Sequence, residues 1–203
     1  FYNDGYKLQD KLIIRPNWVT NNNNLELENR SKNTVLCVGR IEKQKNFEYL
    51  INEISKLNTF SIDLYGDGSC KDHLVKLAKS KNVKLNLMGI VSNDELKKIY
   101  NKYKFFINPS FYEGNPKTVL EAMSSGCIVF ASNIDNHSEI ISNGINGFLF
   151  DLIDGGLTEI INSLDHFDLN QISKNAYKHT LKYNDTKVAV DKEINDYREL
   201  IKK

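Results

Sequence analysis

The chain reads as an α/β protein whose core is a doubly wound, parallel, Rossmann-like sheet with helices on both faces. Three observations predict this. Six short apolar stretches of strand type recur along the chain, helical patterns separate them, and the connections are short, as parallel strands joined by crossover helices require. The 203 residues match one domain of ordinary size, and a hydrophobic content of 40% is enough for a real core.

After a polar run at residues 21–24, read as a flexible loop, residues 34–38 form the first strand, an apolar run of buried type. Residues 46–57 follow as a helix, because Phe47, Leu50, Ile51, Ile54 and Leu57 fall on one face. Residues 61–65 are the second strand, and residues 71–80 a helix carrying Leu74, Leu77 and Ala78. The third strand is placed at 83–87. Ser92 then caps a helix, with Glu95 three residues on completing a capping box. Residues 104–108 are the fourth strand and 116–125 the fourth helix. A strand at 127–131, a short helix near 138–141 and a strand at 147–150 complete the repeat. Three more helices are expected at 155–164, 169–183 and 185–201. In the last, Val190, Ile194, Tyr197 and Ile201 recur at helical spacing as an apolar stripe.

If the strand order is 3-2-1-4-5-6, strands one and four are neighbours at the topological switch point, where ligands bind beyond the carboxyl ends of strands. The loop after strand one carries Gly39, Arg40 and Lys45, and the loop after strand four carries Glu113. That second loop opens a helix. With Pro116 at the first helical position, the backbone N–H groups of Lys117 and Thr118 are left free as an anion site. Glu121 stands at i+4 from Lys117 and i+3 from Thr118, so its carboxylate shares their face. One helix end that holds phosphate and ribose together suits a sugar nucleotide.

The same segments resemble a family. Glu113 and Glu121, eight positions apart, match the Glu-x7-Glu motif of GT-B glycosyltransferases of family 4, the retaining, metal-independent type. The stretch from Val38 to Asn46 resembles that family's basic loop. Tyr65-Gly66-Asp67-Gly68, Met88-Gly89-Ile90-Val91 and Glu139-Ile140-Ile141 before Asn143-Gly144-Ile145-Asn146-Gly147 also match. The likeness runs in order from about residue 11 to about residue 183. No single element is specific, and five in order are.

The resemblance implies a donor-binding half of a GT-B enzyme, transferring sugar from a nucleotide diphosphate sugar to a glycan, lipid-linked or other acceptor. It assigns Arg40 and Lys45 to the diphosphate leaving group, Glu113 to the donor sugar and Glu121 to ribose hydroxyls. Gly89 and Ile90 would offer backbone groups to the base. Gly39, Gly66, Asn115, Pro116, Lys117 and Thr118 occupy the remaining donor-binding positions of the motifs, where backbone matters more than side chain. Residues 1–30 would be a linker from a missing acceptor domain, 31–183 the nucleotide-sugar domain, and 184–203 a helix packing towards the missing domain. The start at Phe1 instead of Met reads as a fragment or processed product.

Each residue has a plainer alternative. Arg40 and Lys45, with Lys43 beside them, could be a solvated basic turn; Glu113 an exposed acid; Glu121 a partner of a nearby Lys; Gly66 and Gly68 a tight turn needing positive φ. Asp135-Asn136-His137 departs from the Gly-rich turn of the family, which puts any ligand contact there in doubt. Trp18 is expected to anchor the linker, and His73, His166 and His179 to lie on the surface. A GT-B sugar-nucleotide epimerase or hydrolase, or a non-catalytic nucleotide-sugar-binding subunit, is the alternative function.

A net charge of +1, with basic and acidic residues interspersed, gives no case for nucleic acid. No apolar run reaches the length of a membrane span and no signal peptide opens the chain, so the expectation is cytoplasmic residence, with peripheral association at the inner face of a membrane allowed. Cys37, Cys70 and Cys127 are odd in number and widely spaced, as core fillers would be. No Asp-x-Asp sequence or His/Cys cluster is present, so neither metal nor cofactor is expected.

Overall fold

The computed structural model describes residues 17–20, 25, 27–57 and 59–201. The linker strand expected from residue 11 therefore lies mostly outside the described residues, as does the 21–24 loop. Six parallel strands form one sheet: β1 (Ser31–Val38), β2 (Ser61–Tyr65), β3 (Leu85–Gly89), β4 (Tyr103–Asn108), β5 (Ile128–Ser132) and β6 (Phe148–Phe150). Their order is 3-2-1-4-5-6, the order on which the placing of the switch point was conditional.

Around the sheet lie α1 (Phe47–Ile54), α2 (Lys71–Ser80), α3 (Asn93–Tyr100), α4 (Lys117–Ser124), α5 (Asp135–Ser138), α6 (Gly156–Asn162), α7 (Leu169–Tyr183) and α8 (Thr186–Ile201). Side chains alternate along each strand, and both faces are buried. Val35, Cys37, Phe105 and Ile107 meet Leu50, Ile51, Leu74 and Leu157 from α1, α2 and α6. Leu36 and Phe106 face the other way, against Ile99, Tyr100, Val119 and Met123 from α3 and α4. Two buried faces explain why these strands read as continuous apolar runs. Cutting Phe106 to Ala costs about 3–5 kcal/mol in such a core.

β2, α2 and α7 keep their expected bounds. The Ser92–Glu95 capping box forms in both directions. β3 begins two residues later than predicted, because pairing with β2 runs through Leu85 and, past a register shift, to Gly89. Cys37 and Cys127 are wholly buried, and burial pushes the Cys127 thiol up to about 12.

Trp18 does not anchor the N-terminal segment; it is 53% exposed. Its neighbour Val19 does, buried against the α7–α8 junction, with its N–H on the Asn184 carbonyl (2.8 Å) and its carbonyl accepting from the Thr186 N–H (3.1 Å). The α8 stripe of Val190, Ile194, Tyr197 and Ile201 is exposed.

Candidate active site

β1 and β4 lie side by side, and their neighbours lead away in opposite directions, so the loops that leave them meet over a crevice. Three contacts tie those loops together. The Phe111 N–H donates to the Gln44 carbonyl (2.9 Å), the Gln44 side-chain amide donates to the Tyr112 carbonyl (2.8 Å), and Lys45 Nζ lies 2.6 Å from Glu113 Oε1. Lys45 comes from a single 3-10 turn, Lys43–Lys45, closed by Asn46 in the left-handed region at φ 52°. Its stem runs over Gly39, where an added Cβ would sit 3.3 Å from Lys45 Cε. Arg40, one residue on, is exposed and forms no ion pair among the described residues.

The glycines after β2 hold the loops close. A Cβ on Gly66 (φ +144°) would fall 1.9 Å from the Gly39 carbonyl oxygen. Gly68 has no positive φ, contrary to the expected turn. There a Cβ would fall 2.4 Å from the Ile41 carbonyl oxygen, so close approach and not backbone handedness excludes a side chain.

Glu113 is not an exposed acid. Its side chain is 8% exposed and accepts from Lys45, from the Ser110 hydroxyl (2.7 Å) and from Asn108 Nδ2 (3.1 Å). Burial alone would raise the carboxyl, but these donors outweigh it and hold the group below the usual carboxylate range.

The start of α4 differs from expectation. Pro116 stands at the cap and not inside the helix, with φ −76° and ψ 71°, the geometry of an inverse γ-turn. The Lys117 N–H therefore donates back to the Asn115 carbonyl (2.8 Å), and the Thr118 N–H is the one left open of the expected pair. Asn115 is also held from outside by Asn17. Inside α4, Glu121 accepts from the Tyr100 hydroxyl (3.0 Å) and lies 3.8 Å from Lys117 Nζ, the pairing that the plainer alternative expected. These contacts do not match its burial, which raises the carboxyl above its ordinary value.

Two clefts adjoin across α3. One, of about 220 Å³, is lined by Gly39, Arg40, Gly66, Gly89 and Ile90 with Leu96 of α3. The other, of about 140 Å³, is lined by Lys117 and Glu121 with Lys97 of α3. The structure brings Lys45 and Glu113 into contact, puts Arg40, Gly39, Gly66, Gly89 and Ile90 in one cleft and Lys117 and Glu121 in the other, and has Asn115, Pro116 and Thr118 in neither lining. It adds Gln44 and Tyr100, whose bonds reach across 68 and 21 positions, and Asn108 and Ser110, which hold Glu113 from the end of β4 and from its own loop. It also puts His137 inside α5 instead of before a helix at Glu139. Among the described residues, no group of three or more His, Cys, Asp or Glu side chains is placed to hold a metal.

This fold and crevice belong to a known class. Residues 20–179 match the family described as Glycosyl transferases group 1, and the chain is a member of that family. It is 35% identical over 118 residues to an uncharacterized glycosyltransferase of Methanocaldococcus jannaschii, covering 56% of this chain and 30% of that protein. It is 31% identical over 149 residues to the Escherichia coli UDP-Gal:alpha-D-GlcNAc-diphosphoundecaprenol alpha-1,3-galactosyltransferase, covering 68% and 38% respectively. The chain thus matches about a third of the length of these relatives. Its fold is shared with the pneumococcal O-GlcNAc transferase GtfA, solved with UDP and GlcNAc, at a TM-score of 0.77 and 19% identity over 92% of this chain and 38% of that one. No helix among the described residues is long and apolar enough to cross a membrane.

Proposed function

We propose that this chain is the donor-binding half of a retaining, family 4 GT-B glycosyltransferase that takes sugar from a nucleotide diphosphate sugar. One observation carries the reading: Lys45 and Glu113 meet at 2.6 Å across the two switch-point loops, with Arg40 exposed on the first of them and in no ion pair among the described residues. Lys45 neutralises Glu113 in this arrangement. A bound diphosphate draws Lys45 and Arg40 to its oxygens, where charge builds as the sugar–phosphate bond breaks. Glu113 then faces the sugar. Glu121, holding acceptor capacity beyond its Tyr100 bond, takes ribose hydroxyls, and the Thr118 N–H adds a backbone donor to phosphate. The base lies over Gly89 and Ile90.

The chemistry is leaving-group stabilisation and positioning, with the acceptor hydroxyl supplied by a further domain of a longer protein. A glycan or lipid-linked acceptor follows from what relatives such as the E. coli galactosyltransferase are named for. Residues 1–30 would link to that domain, 31–183 bind the donor, and 184–203 turn towards it. The exposed α8 stripe supports the last assignment.

Thermal shift with UDP, GDP and ADP sugars tests the reading, repeated with a chelator present. A ligand at one hundred times its dissociation constant adds about 2.7 kcal/mol of stability. One base should shift the melt, and chelation should leave the shift intact. No shift with any of the three refutes donor binding, and a shift abolished by chelation refutes metal independence.

A further inference from the structure

His137 carries an atom that the site as described leaves idle. Its side chain is wholly buried. Nδ1 lies 2.8 Å from the Ser132 carbonyl oxygen, which can only accept, so Nδ1 bears the proton. The Ser132 hydroxyl, 3.3 Å from Nδ1, donates to the Ser110 carbonyl and has no proton left for the ring. Burial disfavours a second proton on the imidazole. Nε2 is therefore a bare lone pair, and among the described residues it is the one buried side-chain nitrogen or oxygen atom with no hydrogen-bond partner.

The segment of His137 packs behind the Glu113 loop of the proposed donor site. The segment that holds it is bonded to the Glu113 loop, through Ser132 on Ser110 and through Asn136 Nδ2 on the Gly114 carbonyl (2.8 Å). Beside a carboxylate, a second acceptor-only atom selects a ligand rich in hydroxyl donors. A diphosphate at neutral pH brings no donor, and a sugar ring brings several.

We infer that His137 recognises the donor sugar: Nε2 accepts a hydrogen bond from one of its hydroxyls when Lys45 turns from Glu113 to the diphosphate. This rests on the donor-binding reading above.

Calorimetry on this chain compares UDP with UDP-glucose, UDP-galactose and UDP-N-acetylglucosamine, with GDP and ADP counterparts alongside. His137→Asn keeps a donor at the Nδ1 position for Ser132 and leaves nothing at Nε2. It should hold nucleoside diphosphate affinity within about twofold while weakening the sugar-bearing ligand roughly three- to tenfold. His137→Gln places its amide near the Nε2 position and should recover part of that loss. A donor analogue lacking the recognised hydroxyl should bind the natural chain about tenfold more weakly and His137→Asn no more weakly than the complete donor does, the signature of a direct pair.

Equal loss for diphosphate and donor, or no loss for either, overturns the inference and leaves the donor-binding reading standing. Loss of the folded state in both variants overturns it too, since the ring would then be a packing element. Failure of every nucleotide to bind the natural chain removes both.

Discussion

Two carboxylates in this fold are buried beside the start of a helix, and they are treated in opposite ways. Glu53 of α1, with a side chain 1% exposed, accepts from Lys56 Nζ (2.5 Å), the Gly155 N–H (2.9 Å), the Thr158 N–H (3.0 Å) and the Thr158 hydroxyl (2.8 Å). Burial pushes its carboxyl up, yet the four donors hold it below the usual range. It closes the N-terminal end of α6, where a negative charge is favoured. Glu121, with a side chain 20% exposed, has the Tyr100 hydroxyl and a distant Lys117, and its carboxyl stays raised. Unfilled acceptor capacity is what the proposed function assigns to ligand at Glu121, and burial alone does not distinguish the two. Glu113 stands between them: its donors are in place, and one of them, Lys45, is the charge that the proposed function assigns to the diphosphate.

The comparison breaks most easily at Glu53. Glu53→Ala leaves two backbone N–H groups without their acceptor, so it should cost about 3 kcal/mol, lowering the melting temperature by roughly 6–12 °C. Thermal melts check this. Arg40→Ala and Lys45→Ala should do the reverse, each weakening nucleoside diphosphate binding about ten- to a hundredfold by calorimetry with nucleoside affinity little changed. Glu121→Gln should keep or slightly raise stability, because it removes a poorly served charge, while weakening diphosphate binding about tenfold.

The smallest effect is in acid. The lowered carboxyl of Glu53 contributes stability that is complete above its unfolded pKa of about 4.3 and is lost as pH falls through its folded value. Glu121 has the opposite sign: its ionised form costs stability, and protonation removes that cost as pH falls through its raised value. Any stability advantage of Glu121→Gln over the natural chain should therefore shrink as pH falls from neutrality towards the unfolded carboxyl value of about 4.3. In melts across that range, an advantage that grows would contradict the assignment.

Much of this was legible in the sequence because the signals were local. The parallel doubly wound sheet follows from alternating elements, though not its strand order, and the Ser92 cap from four consecutive residues. Arg40, Lys45, Glu113 and Glu121 could be picked because each follows a strand end or helix start that the pattern places. What the sequence hid was the wiring. Glu53 has one partner three residues away and the others more than a hundred residues on, so nothing near it announced a saturated carboxylate. Gln44 meets Tyr112 across 68 positions, and Tyr100 meets Glu121 across 21. Pro116 misled because proline is equally at home just outside a helix. Its ψ, set by the γ-turn, removed the Lys117 donor. His137 registered in sequence as a departure from pattern, and its orphaned nitrogen needed coordinates to see.

The central claim is that Glu113 and Glu121 serve different parts of one donor. Calorimetry of a nucleoside diphosphate and its matching nucleotide sugar, on Glu121→Ala and Glu113→Gln beside the natural chain, tests it most directly. Glu121→Ala should weaken both ligands alike, by about tenfold, since ribose hydroxyls are common to both. Glu113→Gln should spare the diphosphate, because releasing Lys45 from its carboxylate partner leaves that charge free for phosphate, and in a longer, transfer-competent protein it should lower turnover. If Glu113→Gln loses diphosphate affinity as severely as Glu121→Ala, or keeps full turnover, the division of roles is wrong.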